Sequence, residues 1–152
     1  MRDPKVPKPI PIAQRAGQEN DEASVRSHFD AQELGLSTLL KPQIWLRKSW
    51  PGEIEMDTPE KWDIFFRYYT NWITHYALLA EIHGFDILCV GVEMTETALQ
   101  KPDEWRKLIG KIRAIYSGPI TYGSNWGKEF ETLSFWDELD FIGVSCLSLI
   151  HI

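Results

Sequence analysis

One short apolar run constrains the fold more than any other feature of the sequence. Residues 85–92, Phe-Asp-Ile-Leu-Cys-Val-Gly-Val, are almost continuously apolar and too few for a globular helix. Such a run is typical of a parallel strand that is covered on both faces. An amphipathic helix predicted over 58–83 precedes it, with Asp57 or Thr58 as the N-cap and Gly84 at its end. This part of the chain therefore predicts a helix packed on a buried sheet.

The alternation of helix and strand recurs along the chain. Further helices are predicted from Asn20 or Asp21 to about Leu34, from Pro102 or Asp103 to before Gly118, and over 128–136. Strands are predicted near 37–43, 86–92, 119–124 and 140–145. Four helix–strand pairs in succession indicate an α/β protein with a parallel sheet. Residues 1–19 contain four of the nine prolines and are predicted to form a long loop.

The composition argues against several classes of function. A net charge of -6 disfavours nucleic acid as a partner, and no apolar stretch approaches the roughly 18 residues of a membrane span. The four histidines and two cysteines lack metal-ligand spacing, so we expect no metal and no cofactor. Cys89 and Cys146 are both predicted to be buried. The sequence suggests a soluble protein but leaves its compartment and its oligomeric state open.

Polar and aromatic side chains follow the predicted strands. In parallel α/β folds, active sites form at the carboxyl ends of the strands. The side chains at those ends are Lys41, Gln43, Trp45, Glu93, Asn125 and Trp126. By contrast, Asp137 and Asp140 precede a strand and are expected at the opposite edge, where residues serve stability. The carboxyl edge is therefore the predicted site.

Glu93 is the most informative of these residues because it directly follows a buried strand. Burial disfavours a charged carboxylate, and a carboxyl group that keeps its proton can act as a general acid. A strand-end glutamate also often caps the next helix or pairs with a surface cation. The spacing alone leaves both interpretations open.

The remaining candidates also have two interpretations. Lys41, Gln43 and Trp45 share one strand parity and so point to the same side. The two polar side chains could bind sugar hydroxyls while Trp45 walls a subsite, since indole faces stack on sugar rings. Alternatively, the strand ends here in a solvent-exposed loop, and Trp45 covers the rim of the sheet. Asn125 and Trp126 carry the same ambiguity.

Five segments together resemble the family-113 glycoside hydrolases, in the family's order and with matching separations. They are Leu-Lys-Pro-Gln-Ile-Trp-Leu (40–46), Cys-Val-Gly-Val-Glu (89–93), Glu-Trp-Arg-Lys-Leu-Ile (104–109), Ile-Thr-Tyr-Gly-Ser-Asn-Trp (120–126) and Phe-Trp-Asp-Glu-Leu-Asp-Phe-Ile-Gly (135–143). Members of that family are retaining enzymes with a (β/α)8 barrel, known chiefly as β-1,4-mannanases. The resemblance implies a partial barrel over 20–146, approximately strands three to six, because a complete barrel needs about 250 residues.

The resemblance also implies roles for particular residues. Gly91-Val92-Glu93 matches the family's acid/base glutamate, which ends the fourth barrel strand. Cys89 and Gly91 are then expected on the inner face of the curved, open sheet. The family's nucleophilic glutamate follows the seventh strand, and no residue of this chain matches it.

The implied function is hydrolysis of a β-linked polysaccharide, most simply β-mannan, by double displacement without a cofactor. The chain alone is expected to be inactive because it lacks the nucleophile. The alternative is a non-catalytic carbohydrate-binding barrel in which Glu93 only holds a sugar hydroxyl. Residues 147–152 depart from the family pattern and are predicted to be a non-native or truncated tail.

Overall fold

The structure is a computed structural model that describes residues 3–8 and 20–146. The predicted loop over 1–19 falls mostly outside these residues, and the predicted tail over 147–152 falls wholly outside them. Residues 3–8 form a turn in which the Val6 N–H donates to the Asp3 carbonyl. Pro4 accepts a hydrogen bond from the Glu55 N–H, which fastens this turn to the rest of the described chain.

Helices and strands alternate along the described chain, as the sequence predicts. The elements are α1 (Asp21–Glu33), β1 (Leu39–Leu40), α2 (Pro59–His83), β2 (Ile87–Val92), α3 (Thr95–Gln100), α4 (Pro102–Arg113), β3 (Ile120–Asn125), α5 (Lys128–Thr132) and β4 (Phe141–Ser145), with 3-10 turns at Pro51–Glu53 and Trp136–Glu138. The four strands are parallel and pair in the order β1-β2-β3-β4. The predicted α/β class and open parallel sheet are confirmed.

The ends of the long helices have the predicted caps. The Asn20 side chain accepts from the Ala23 N–H at 2.8 Å and starts α1. Thr58 accepts from the Lys61 N–H and starts α2, and Gly84 ends that helix with φ 75°. A left-handed residue at this position favours glycine because a β-carbon would be strained there. Local sequence signals therefore set these boundaries.

Other elements differ from the prediction. The strand predicted near 37–43 is reduced to Leu39–Leu40, because Pro42 has no N–H with which to continue the ladder to β2. The helix predicted over 128–136 ends at Thr132 and is followed by a separate 3-10 turn. The short helix α3 was not predicted. It inserts between β2 and α4 and places Thr97 and Ala98 in the core.

Aromatic side chains fill the layer between the sheet and helices α2 and α4. Trp105 on α4 is fully buried at the centre of this layer. Its ring stacks on Phe135 at 5.5 Å and meets Tyr69 and Tyr122 edge to face. The Tyr69 hydroxyl donates to the Val90 carbonyl at 2.8 Å, which ties α2 to β2. The apolar face of α2 is therefore core, as its periodicity predicts.

The amino edge of the sheet is held by ion pairs. Arg106 on α4 pairs with Asp137 and Glu138, and Arg113 pairs with Asp140 at 2.7 Å. The Asp140 carboxylate also accepts from the Ile120 N–H at the start of β3. The expectation that Asp137 and Asp140 lie opposite the carboxyl edge is therefore confirmed.

The outer strand β4 is the least covered element of the sheet. Phe141, Ile142 and Val144 are exposed, although all three are large and apolar. Cys146, which directly follows this strand, is exposed as well. The prediction that Cys146 is buried is therefore wrong, because nothing in the described part of the chain packs over this edge. Cys89 on β2 is buried, as predicted. No helix within the described residues is long and apolar enough to cross a membrane.

Candidate active site

The carboxyl ends of β1, β2 and β3 bring candidate residues to one edge of the sheet. Glu93 follows β2 directly, and Asn125 is the last residue of β3. The Glu93 N–H donates to the Gly123 carbonyl at 2.7 Å, which fixes the backbone of Glu93 to the neighbouring strand. Lys41 follows β1 at the same edge. The fold therefore juxtaposes three segments that are distant in sequence.

A bulge in β2 precedes Glu93. Cys89 is paired with Thr121, but Val92 is paired with Gly123, so β2 has one more residue than β3 between these pairs. An extra residue changes the side to which the following side chains point, and bulges often occur beside active sites for this reason. The direction of Glu93 therefore cannot be counted from the alternation of an ideal strand.

The bulge corrects one expectation about the inner face of the sheet. A β-carbon at Gly91 would lie 2.5 Å from Cη2 of Trp105 and 2.8 Å from Cε2 of Tyr122. Gly91 therefore faces the aromatic layer under the helices and not the inner face. Cys89 does face inward, because a β-carbon at Gly123 would point at its Sγ. The expectation is right for Cys89 and wrong for Gly91.

Glu93 has an unusual backbone. Its φ of 50° makes it the only non-glycine with a left-handed conformation among the described residues. Such a conformation costs on the order of 1–3 kcal/mol and persists only where the surroundings hold it, often at functional sites. The side chain is partly buried. The left-handed backbone therefore supports Glu93 as the candidate functional residue at this edge of the sheet.

Lys41 extends across the inner face of the sheet. Its Cε lies 3.8 Å from the position that a β-carbon of Gly123 would take, as does Sγ of Cys89. The absence of a side chain at Gly123 therefore leaves room for the lysine stem. Burial raises the pKa of the Cys89 thiol, while the Lys41 charge acts in the opposite direction. A neutral thiol and a cation consequently lie side by side beneath the carboxyl edge.

Glu129 is a second carboxyl group near Glu93 and is not among the site residues predicted from the sequence. It lies in the first turn of α5 and is only 2% exposed. Its Oε2 accepts from the Thr95 hydroxyl at 2.7 Å and from the Asn125 N–H at 2.9 Å. Its Oε1 accepts from the Tyr122 hydroxyl at 2.5 Å. Both oxygens are therefore occupied by donors of the protein.

The electrostatics of Glu129 follow from this burial. Desolvation raises its pKa, the three hydrogen bonds oppose that change, and the nearby Glu93 charge adds to it. Desolvation and the Glu129 charge together also raise the pKa of Tyr122 well above its usual value. Tyr122 thus remains protonated and donates to Glu129, while its oxygen accepts from the Met94 N–H at 2.8 Å.

The sequence offered little to identify Glu129. A glutamate in the first turn of a helix is ordinary, because it interacts favourably with the helix dipole. Its three donors come from residues 95, 122 and 125, which only the folded structure brings together. The one available signal was its position four residues after the polar end of β3.

The other predicted site residues lie in the segments that follow β1 and end β3. Lys41, Gln43 and Trp45 are exposed and alternate with the buried residues Pro42, Ile44 and Leu46. Trp126 directly follows β3 and is also exposed, whereas Asn125 is partly buried. Their direct participation in a site with Glu93 stays a prediction. Among the described residues, no group of three or more His, Cys, Asp or Glu side chains is arranged to hold a metal ion.

Comparisons with known proteins place this arrangement in a family. The family model described as Glycoside Hydrolase Family 113 matches residues 8–151. The structure of a GH113 β-mannanase, AaManA from Alicyclobacillus acidocaldarius in complex with ManMIm, has a TM-score of 0.84 and 33% sequence identity. That comparison covers 95% of this chain and 47% of the mannanase.

Two further solved structures give a similar result. They are a GH113 β-1,4-mannanase in a complex and a GH113 β-1,4-mannanase, with TM-scores of 0.83 and 0.84, each at 30% identity. Each comparison covers 96% of this chain and 48% of the mannanase. A search of curated proteins finds no match.

The chain thus spans about half the length of the mannanases that it matches. Its four parallel strands and their helices form part of the (β/α) barrel of those structures. The family match extends over most of the chain and over every segment that forms the carboxyl edge. The chain belongs to glycoside hydrolase family 113.

Proposed function

We propose that this chain supplies the acid/base half of a retaining glycoside hydrolase that cleaves β-mannan, with Glu93 as the general acid/base. The observation that carries the proposal is the placement of Glu93. It is a partly buried carboxylate at the carboxyl end of a parallel strand, on a left-handed backbone, in a chain of family 113. Titratable groups at this edge of a (β/α) barrel are those that contact substrates.

The proposed reaction has two steps. In the first, a carboxylate nucleophile attacks the anomeric carbon, the bond to the leaving oxygen breaks, and Glu93 donates its proton to that oxygen. In the second, Glu93 removes a proton from water as the water oxygen attacks the anomeric carbon and releases the nucleophile. Glu93 thus ends the cycle protonated, and the configuration of the sugar is retained.

Glu129 does not fit the role of the nucleophile. Its two oxygens accept three hydrogen bonds from the protein, and its side chain is almost completely buried. We therefore propose that the nucleophile lies outside this chain, in the other half of a longer protein. We call that protein, which contains this chain, the complete enzyme. The chain alone is then inactive.

The substrate is proposed to bind along the carboxyl edge. Lys41, Gln43 and Asn125 can donate hydrogen bonds to sugar hydroxyls, and the exposed indoles of Trp45 and Trp126 can stack on sugar rings. The similar solved structures are those of β-mannanases, which supports mannan as the polysaccharide. A non-catalytic mannan-binding protein is the alternative outcome of the following test.

The test replaces Glu93 in the complete enzyme. Glu93→Gln keeps the size of the side chain but removes the ionisable proton, so hydrolysis of mannan should fall by ~10²–10⁴-fold. An aryl β-mannoside with an acidic phenol needs little protonation to leave, so its first step should be affected much less. Glu131→Gln, an exposed glutamate on α5, is the matched control and should keep full activity.

Azide distinguishes the roles of the two catalytic carboxylates. With Glu93→Ala, azide should attack the covalent intermediate without base assistance and yield a β-glycosyl azide. An α-glycosyl azide would instead identify Glu93 as the nucleophile. Mannan hydrolysis by Glu93→Ala at a near wild-type rate would refute the acid/base role. A wild-type complete enzyme that binds mannan but never cleaves it would support the non-catalytic alternative.

A further inference from the structure

Glu129 is a buried ionisable group that the proposed chemistry does not use. Three donors from two parts of the chain converge on its carboxylate: the Thr95 hydroxyl of α3, and the Tyr122 hydroxyl and Asn125 N–H of β3. Burying a carboxylate is costly unless such donors compensate for lost hydration. A cluster built at this cost indicates a function beyond filling space.

Only an ionised carboxylate accepts from all three donors without a conflict. The amide of a glutamine has one acceptor oxygen and one donor nitrogen. If its nitrogen took the place of Oε2, it would face the Asn125 N–H as a second donor. If its nitrogen took the place of Oε1, the Tyr122 hydroxyl hydrogen would lose its acceptor. The cluster is therefore specific for the charge, and not only the shape, of Glu129.

Each donor is connected to the backbone around Glu93, either along the chain or through a hydrogen bond. Thr95 lies two residues after Glu93, and Tyr122 holds the N–H of Met94, the residue directly after Glu93. Asn125 ends the strand whose Gly123 carbonyl accepts from the Glu93 N–H. Glu129 therefore joins the ends of β2 and β3 at the point where the backbone enters the left-handed conformation.

That conformation needs external support. A glutamate at φ 50° costs on the order of 1–3 kcal/mol and relaxes unless neighbouring contacts hold it. The hydrogen bond from the Glu93 N–H to the Gly123 carbonyl holds the backbone on the amino side of Glu93. On its carboxyl side, the backbone is held by the bond from the Met94 N–H to Tyr122 and by the bond from the Thr95 hydroxyl to Glu129. If the bonds of Met94 and Thr95 were lost, the peptide group after Glu93 could rotate and change the direction of the Glu93 side chain.

We infer that Glu129 is a positioning residue, which through Tyr122 and Thr95 holds the backbone that aims Glu93 at the leaving oxygen. This inference rests on the proposed role of Glu93 as the acid/base. Glu129 itself does not contact the substrate, because its oxygens are occupied and its side chain is buried. Its effect on catalysis passes through Glu93.

The test compares variants of the complete enzyme on two substrates. Glu129→Gln should reduce kcat on mannan by about 100-fold, the loss that misplacement of a catalytic group by an ångström can cause. KM should change little. With an aryl β-mannoside of an acidic phenol, the rate of the first step should fall by less than about tenfold, because that phenol leaves without full protonation. Glu131→Gln on the same helix is the charge-matched control.

A second arm combines the variants. In a Glu93→Ala background, adding Glu129→Gln should cause no further loss on mannan, because the group that Glu129 positions is already absent. A residue that only stabilises the fold would lower activity by the same factor in both backgrounds and on both substrates. Such uniform losses would overturn the inference while the proposed function stood. Near wild-type activity of Glu93→Ala would overturn both.

A third arm covers a failure of Glu129→Gln to fold. Thr95→Val removes one donor at a partly exposed residue and keeps the shape of the side chain. It should reproduce the same dependence on the leaving group to a smaller extent. Thr132→Val is its control, because the Thr132 hydroxyl donates to the Lys128 carbonyl within α5 and has no other hydrogen bond among the described residues. Equal losses on both substrates with Thr95→Val would again contradict the inference.

Discussion

The close approach of Gly91 to the aromatic layer gives a prediction whose size follows from the structure. In Gly91→Ala, the new β-carbon would lie 2.5 Å from Cη2 of Trp105 and 2.8 Å from Cε2 of Tyr122. Neither ring can retreat, because both are fully buried and Trp105 also stacks on Phe135. The methyl group must therefore displace either the helix layer or β2.

Overpacking a core by one methyl group usually costs about 1–3 kcal/mol. We expect the free energy of unfolding to fall by about 2–3 kcal/mol in Gly91→Ala, since two rigid rings obstruct the same atom. Gly110→Ala is the matched control, because a β-carbon at this exposed position of α4 meets nothing within 4 Å. An alanine should stabilise an exposed helix there by about 0.5–1 kcal/mol.

The measurement is equilibrium urea unfolding of the complete enzyme, followed by tryptophan fluorescence. The urea midpoint should be lower than that of the wild type in Gly91→Ala and higher in Gly110→Ala. If Gly91→Ala unfolded at the wild-type midpoint with an unchanged urea dependence, the packing around β2 would not be rigid. The assignment of Gly91 to the helix side would then be wrong.

Two further predictions concern the sheet. Tyr69→Phe removes the hydroxyl that donates to the buried Val90 carbonyl, so urea unfolding should show a loss of about 0.5–1.5 kcal/mol. Asp140→Asn should destabilise the protein at pH 7, because the Ile120 N–H and then Arg113 lower the pKa of Asp140 in the folded state. The ionised carboxylate contributes stability above its unfolded pKa of about 3.8 and loses it as the pH falls through the lower folded value. The difference in urea midpoint between Asp140→Asn and wild type should therefore shrink as the pH falls below about 3.8. A difference that stayed constant would show that the ionised carboxylate of Asp140 is not its cause.

Much of the fold could be predicted because its signals are local. The cap at Thr58 and the left-handed Gly84 set the limits of α2, and a continuous apolar run identified β2. The early end of β1 had a local cause too, since Pro42 cannot continue a ladder. The bulge had no such signal. In a strand that is apolar on both faces, one extra residue does not disturb any hydrophobic pattern.

The candidate site was predictable only in part. Glu93 follows a recognisable strand, so its position at the carboxyl edge could be inferred from order along the chain. Its left-handed backbone could not, because glutamate has no preference for that conformation. Glu129 depends on two donors of β3 and one donor of α3. No pattern of spacing records which distant side chains a buried carboxylate meets.

Tyr122 has a consequence for how this protein can change over evolution. One end of its side chain packs between Trp105 and Phe135, and the other end holds the Met94 N–H and Glu129. The ring is rigid, so a displacement within the aromatic layer moves the hydroxyl by a similar amount. Substitutions in that layer are therefore transmitted to the backbone beside Glu93 without touching it. The packing of the interior and the geometry of the carboxyl edge cannot drift independently, because the same residue belongs to both.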